Sequence, residues 1–225
     1  MAEKRVLGID TSSMSLNLAV VSGGGSVVSS YQELSKNHAG RLPSVFDQVL
    51  DRSGYDALSG IGVVAGPGSF TGLRVGLSAA LALRASLKIP VYQVSSLCSL
   101  ARLSSASGKG AAVIDARKGE YYIQFFEKLG EKTAPISEAS TIKYGELESC
   151  IEGLVWALGI NIGSSESGMP RNIVSLENPN LAVEAAKEAL SRLLSGDPGD
   201  EEVSPMYVRE PDAIPQPPPG GNFKS

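Results

Sequence analysis

The sequence predicts an α/β protein of two similar βββαβα subdomains, the second degenerate. Three observations predict it. Residues 5–34 hold three short apolar segments separated by turn residues, the pattern of an antiparallel meander. An apolar run, a Gly/Pro turn and a helix rich in small residues then follow at 61–87. Finally, the opening pattern restarts: RVLGID-TSS-MSLNLAVV-SGGG is matched by AAVID-ARK-GEYYIQFF-EKLG, with Asp10 and Asp115 separated by 105 positions.

Arg5–Asp10 is an apolar strand ending in a carboxylate, Leu16–Val21 a second strand, Ser22–Ser26 a flexible turn and Val27–Leu34 a third strand. A helix is expected over about Ala39–Arg52, because Leu42, Val45, Phe46, Val49 and Leu50 recur at helical spacing. Pro43 belongs near its first turn, where a missing N–H matters least. Ile61–Ala65 reads as a buried strand. Gly66-Pro67-Gly68 makes a tight turn, and Ser69 caps a helix from Phe70 to about Leu87. Pro90 closes that unit and Val91–Val94 adds a strand. In the second half, Ala111–Asp115 and Gly119–Phe126 repeat the first hairpin, with a turn over Lys128–Lys132. Ile142–Ile151 is expected to be a short helix, Leu154–Leu158 a strand and Leu181–Leu194 a helix. The expected division is an N-terminal subdomain over 1–103, a C-terminal one over 104–210, and a Pro/Gly-rich tail over 211–225 that lacks the apolar content to form a core.

A formal charge of −4 argues against a chain that grips nucleic acid by itself. Cys98 and Cys150 lie far apart without metal spacing and are expected to be reduced. No signal peptide and no long apolar span is apparent, which suggests a soluble cytoplasmic protein with no membrane contact. His38 is the only histidine, so a His-based zinc site is excluded. It reads as a surface or capping residue at the start of a helix.

Three constellations could carry chemistry. Asp10, Thr11 and Ser12 end the first strand; a carboxylate beside hydroxyls can hold cation-bound water and phosphate, or simply form an Asx turn. Gly66, Gly68 and Ser69 form a strand–turn–helix element of the kind that aims N–H groups at anions, without the lysine of a P-loop. Asp115, with Arg117 and Lys118 beside it, sits at the equivalent position of the second half. Within the long helix Gly68, Gly72, Gly76 and Ala80 recur every four residues, a smooth stripe that lets another backbone approach.

Five motifs taken in order resemble the TsaB (YeaZ) family of tRNA threonylcarbamoyladenosine synthesis. They are IDTSS at Ile9–Ser13, His38 ahead of Leu42-Pro43, GPGSFTGLRVG at Gly66–Gly76, DARKGEYY at Asp115–Tyr122 and PMYVR at Pro205–Arg209. The resemblance implies an ASKHA (actin-like ATPase, RNase H-like) fold and a paralogous partner, TsaD, that transfers threonylcarbamoyl from its adenylate to the adenosine beside the anticodon. In TsaD-like proteins a metal-binding HxxxH follows the strand after the glycine-turn helix; Ser96 and Leu100 fall at those positions here. The resemblance therefore implies a non-catalytic scaffold or activator that binds no metal and no cofactor itself. ATP/ADP and a metal belong to the partner subunits, TsaD and the ATPase TsaE, and tRNA is met through the complex. It also implies a subunit interface on the two N-terminal helices, expected at Leu42, Val45, Phe46, Val49, Gly72, Leu73, Gly76, Leu77 and Ala80, with a homodimer through the same face as a competing state. Asp10, Thr11, Ser12, Gly66, Gly68, Ser69 and Asp115 remain candidates for vestigial phosphate or nucleotide contacts. The alternative is an active ASKHA-type ATPase or small-molecule kinase using those residues.

Overall fold

The computed structural model describes residues 3–50, 54–162 and 172–208. The expected tail over 211–225 lies outside the described residues, as does Arg209 of the PMYVR motif. Strands β1 (Arg5–Asp10), β2 (Ser15–Ser22) and β3 (Val27–Leu34) form the predicted meander. Helix α1 (His38–Leu50) leads to β4 (Leu58–Gly66), α2 (Phe70–Leu87) and β5 (Val91–Ser95). The first sheet has the order β3-β2-β1-β4-β5, with β4 and β5 added parallel to β1.

After α3 (Ser96–Arg102) the design is repeated. β6 (Gly108–Arg117) pairs antiparallel with β7 (Glu120–Leu129), which pairs with β8 (Lys132–Pro135) and β9 (Ser140–Lys143). β10 (Trp156–Ile160) and β11 (Val174–Leu176) join β6 on its other side in parallel. α4 (Leu147–Ile151) and α5 (Leu181–Leu194) complete the described elements. β6, β7 and β10 thus occupy the places of β1, β2 and β4, and the second sheet copies the connectivity of the first.

The layers follow from strand periodicity. Leu7 and Ile9 of β1, with Leu16, Leu18 and Val20 of β2, face α1 and α2. Val6 and Val21 face α5, against Ala186, Ala189 and Leu190. Gly8 and Gly62 lie under α5 because a Cβ at either would run into the Ala182 or Ala185 carbonyl, so this helix rests almost on the sheet backbone. α3 packs through Leu97, Leu100 and Ala101 onto Ala112, Phe126 and Trp156 of the second sheet. α4 covers the opposite face through Leu147 and Ile151.

The expected boundary at residue 103 falls between α3 and β6. The sheets divide there, but the helices cross over: α3 covers the second sheet and α5 the first. The segment after α5 also returns to the first sheet. Asp200 N–H donates to Val91 O at 2.8 Å and Met206 N–H to Ala65 O at 2.7 Å. The expected helix over Ile142–Ile151 begins instead as β9 and a 3-10 turn, and only Leu147–Ile151 is α-helical. Among the described residues no helix is long and apolar enough to cross a membrane.

Candidate functional site

Both halves end their first strand on the same local device. Asp10 Oδ1 accepts from Ser12 N at 2.9 Å and from Ser12 Oγ at 2.6 Å. Asp115 Oδ1 accepts from Arg117 N at 2.8 Å. Each is a carboxylate folding over its own backbone two residues on. Asp10 also accepts from Asn17 Nδ2 at 2.9 Å, across the β1–β2 pair. Burial pushes the Asp10 carboxyl up, while its bonds to Ser12 and Asn17 and the nearby His38 pull the other way, and burial prevails. Asp115 accepts from the Tyr144 hydroxyl at 2.7 Å; that bond, with burial, drives the phenol up to about 12.

The glycine turn sits against this device. Ser69 caps α2 as predicted, its Oγ accepting from Gly72 N at 3.3 Å. Its own N–H donates to Ser12 O at 2.7 Å, and Thr11 Oγ1 donates to Gly72 O at 2.7 Å. The small-residue stripe therefore has its partner inside the chain. A Cβ at Gly68 would meet Ser12, and Cβ atoms at Gly72 and Gly76 would meet Thr11. Ser96 Oγ, at the start of α3, donates to Pro67 O and fixes the turn from behind. Leu100, one helical turn on, is fully buried in the apolar layer between the sheets. The two positions matching the HxxxH of TsaD-like proteins are thus committed to a turn tether and to the core.

A cleft of about 170 Å³ opens between the two sheets, where Asp10, Ser12, Gly68, Ser69 and Asp115 meet. Thr11 and Gly66, also expected there, do not line it. Thr11 is buried against α2, and Gly66 faces the Met206 carbonyl. Sequence reasoning missed Met14, Tyr122, Asn161 and Pro179 on its walls. Asn161, left-handed at φ 59 immediately after β10, carried the one usable signal, since asparagine tolerates that conformation at a strand end. The cleft is small beside the roughly 300–1,000 Å³ of most small-molecule sites. Its lining includes two carboxylates against one cationic side chain, Arg117.

A larger opening lies on the outer face of the first sheet, between α1 and α2. It has a volume of about 610 Å³ and an apolar lining that includes Leu42, Pro43, Phe46, Phe70, Val75 and Ala79. Phe70 is 47% exposed at its rim. The Arg74 guanidinium lies 3.9 Å from the Phe70 ring centroid, and Tyr207 stacks on the same ring at 5.8 Å.

The nine residues expected at a subunit interface have packing partners within this chain. Leu42, Val45, Phe46, Val49, Gly72, Leu73, Gly76, Leu77 and Ala80 are all buried within this chain. An amphipathic helix turns its apolar stripe to its own sheet first, and the glycine stripe is filled by the β1–β2 turn. Only Leu42 and Phe46 reach the groove floor; the outward faces carry Ala39, Pro43, Phe70, Arg74, Val75 and Ser78.

Two copies of one strand–strand–strand–helix–strand plan, each with an Asp at or near the end of its first strand and a cleft between them, define an ASKHA, actin-like fold. The sequence model of the family TsaD, tRNA N6-adenosine threonylcarbamoyltransferase, matches residues 26–162. The chain is 36% identical over 126 residues to the tRNA threonylcarbamoyladenosine biosynthesis protein TsaB of Bacillus subtilis (strain 168), covering 54% of this chain and 55% of that protein. It is 32% identical over 124 residues to TsaB of Escherichia coli (strain K12), covering 52% and 53%. The chain spans about half the length of the curated relatives it matches. The structure of YeaZ from Pseudomonas aeruginosa superposes with a TM-score of 0.74 at 25% identity, over 90% of this chain and all of that one. The chain belongs to the TsaB/YeaZ family, within the wider TsaD-related group.

Proposed function

We propose that this chain acts in the synthesis of threonylcarbamoyladenosine in tRNA as a non-catalytic subunit that docks a TsaD-type partner and holds it in an active conformation. The observation that carries the reading is the contrast between its two openings. The inter-sheet cleft is small, with carboxylates that serve their own turns, whereas the α1–α2 groove is open, apolar and rimmed by the half-exposed Phe70. The partner would seat on Phe70, Val75 and Ala79, with Leu42 and Phe46 beneath. In this reading the partner subunits supply the nucleotide and metal chemistry, TsaE acts on the assembled pair, and tRNA meets the complex rather than this acidic chain. A homodimer through the same groove would compete with the heterodimer.

The runner-up, an ASKHA-type ATPase or small-molecule kinase, would place a nucleotide in the inter-sheet cleft. The test is calorimetric titration of the full chain with a TsaD partner, and separately with ATP. Partner binding that is lost in Val75→Glu supports the docking reading. ATP binding lost in Asp10→Asn, with no partner binding, favours the alternative.

A further inference from the structure

The α1–α2 groove does not end at its apolar lining. A further opening of about 440 Å³ lies at the N-terminal ends of the two helices, and Ala39, Thr71 and Val75 line both. The two therefore form one continuous surface, and its charge is one-sided. Lys36 and His38 line the further opening and Arg74 the groove, while among the described residues no Asp or Glu lines either. Composition does not supply this bias, since 24 acidic residues outnumber 20 lysines and arginines in the chain.

Other cations of the first sheet and its helices are neutralised within the chain. Arg41, in the first turn of α1, donates from Nε to Glu33 Oε1 at 2.8 Å and from Nη2 to Glu33 Oε2 at 3.0 Å. Arg192 pairs with Asp197 and Asp200. Among the described residues Lys36 and Arg74 have no carboxylate within ion-pair distance, and Arg74 lies over the Phe70 ring. Neither α1 nor α2 carries an acidic residue in its first turn, where one would offset the positive end of the helix, whereas α5 carries Glu184 there.

This charge distinguishes between occupants. A second copy docked face to face would present the same patch from both sides, because a two-fold interface pairs a surface with itself. It would bring two sets of cations into one interface with no acid to meet them, and like charges brought together oppose association. A nucleic-acid phosphate offers negative charge but nothing to fill an apolar groove of about 610 Å³. A different protein segment can supply both. We propose that this face selects a partner whose segment fills the groove with apolar side chains and meets Lys36 and Arg74 with carboxylates, in preference to a second copy of this chain. This rests on the docking reading above and gives the chemistry of its partner.

The test is the affinity of the full chain for a TsaD partner at about 0.05 M and about 0.5 M salt, which screens exposed charges weakly and strongly. The parent is compared with Lys36→Gln/Arg74→Gln and with a control, Lys109→Gln/Lys132→Gln. The control removes two exposed lysines of the second sheet that line neither opening. At low salt the Lys36/Arg74 variant should bind about three- to tenfold more weakly than the parent and the control, and at high salt all three should converge. Self-association of that variant, followed by sedimentation, should be at least as strong as the parent's. Equal affinity of parent and variant at low salt would overturn the proposal and leave the docking reading standing. A loss that persists at high salt would assign the effect to Arg74 packing on Phe70 and also overturn it. Self-association weakened in the variant would assign the face to a second copy, and tRNA binding by the parent alone that the variant loses would assign it to phosphate; either overturns the proposal. Absence of binding by the parent at both salt concentrations would count against the docking reading itself.

Discussion

Adding one methyl group to the glycine stripe of α2 should destabilise the protein, although helix propensity alone says the opposite. In an exposed helix Gly→Ala stabilises by about 1 kcal/mol. Here the Cβ of Gly72→Ala would fall within the contact radius of the Thr11 carbonyl oxygen, which is backbone and has no rotamer to relieve the clash. Overpacking of this kind costs about 1–3 kcal/mol. Separating α2 from the turn also loses the 2.7 Å bond from Thr11 Oγ1 to Gly72 O, about 1 kcal/mol more. Set against the gain in helix propensity, the net expectation is a loss of about 1–3 kcal/mol, and for a chain of this size a Tm lower by about 2–12 °C. Gly76→Ala should be milder, because its Cβ would lie 2.5 Å from Thr11 Oγ1, a side-chain atom that can rotate away. Gly24→Ala, with open space around it, serves as the neutral control. Urea and thermal unfolding measure all three. A Gly72→Ala protein as stable as the parent would refute the internal role of the stripe. If that variant also lost partner binding, the stripe would face a partner after all.

Three further outcomes are expected. Because burial raises the Asp10 carboxyl above its ordinary value of 3.8, its protonated form is favoured in the folded state; its contribution to stability is full below that value and is lost as pH rises through the folded pKa. Asp10→Asn should therefore remove a fall in unfolding free energy on the alkaline side of pH 4, and an unchanged pH profile would count against the burial account. Tyr144 should stay protonated until about pH 12 and titrate earlier in Asp115→Asn, followed by phenolate absorbance; identical curves would deny the Asp115 bond. Arg192→Gln should free the segment 197–208 to proteolysis and cost about 2 kcal/mol. Since Arg192 holds the Asp197 carboxyl below its ordinary value, that stabilisation is present above the carboxylate range and lost as pH falls, so parent and variant should converge in acid.

Much of the architecture was legible because local signals and burial agreed. RVLGID, VVSSYQEL, the Ser69-capped α2 and the Leu181–Leu194 helix appear with the expected bounds. Where signals were compressed they misled. Ser95 is both the last residue of β5 and the cap of α3, its Oγ accepting from Cys98 N, so no loop marks the start of that helix. Ile142–Ile151 follows directly on the β-branched Thr141 and carries a glycine at 145, and it divides there into strand, 3-10 turn and helix. The strand expected at Leu154–Leu158 shifts to Trp156–Ile160 because Gly153, at φ 77, turns the chain and leaves Val155 exposed. The paired aspartates were readable as a repeat, since each ends a strand before a polar turn. Which side of α1 and α2 faces the sheet was not readable, because a stripe of small or apolar residues looks the same whether its partner is the chain's own turn or another protein.

The most direct test of the central claim, that the groove and not the cleft carries the function, is threonylcarbamoyl transfer to tRNA in a reconstituted mixture of TsaD, TsaE, threonylcarbamoyl-adenylate and ATP. Three folded forms of this chain would be compared: the parent, Asp10→Asn/Asp115→Asn and Val75→Glu. The account predicts product that requires the chain, persists with the double cleft variant and is lost with Val75→Glu. Equal product without the chain, or loss in the cleft variant with full activity in Val75→Glu, would contradict it.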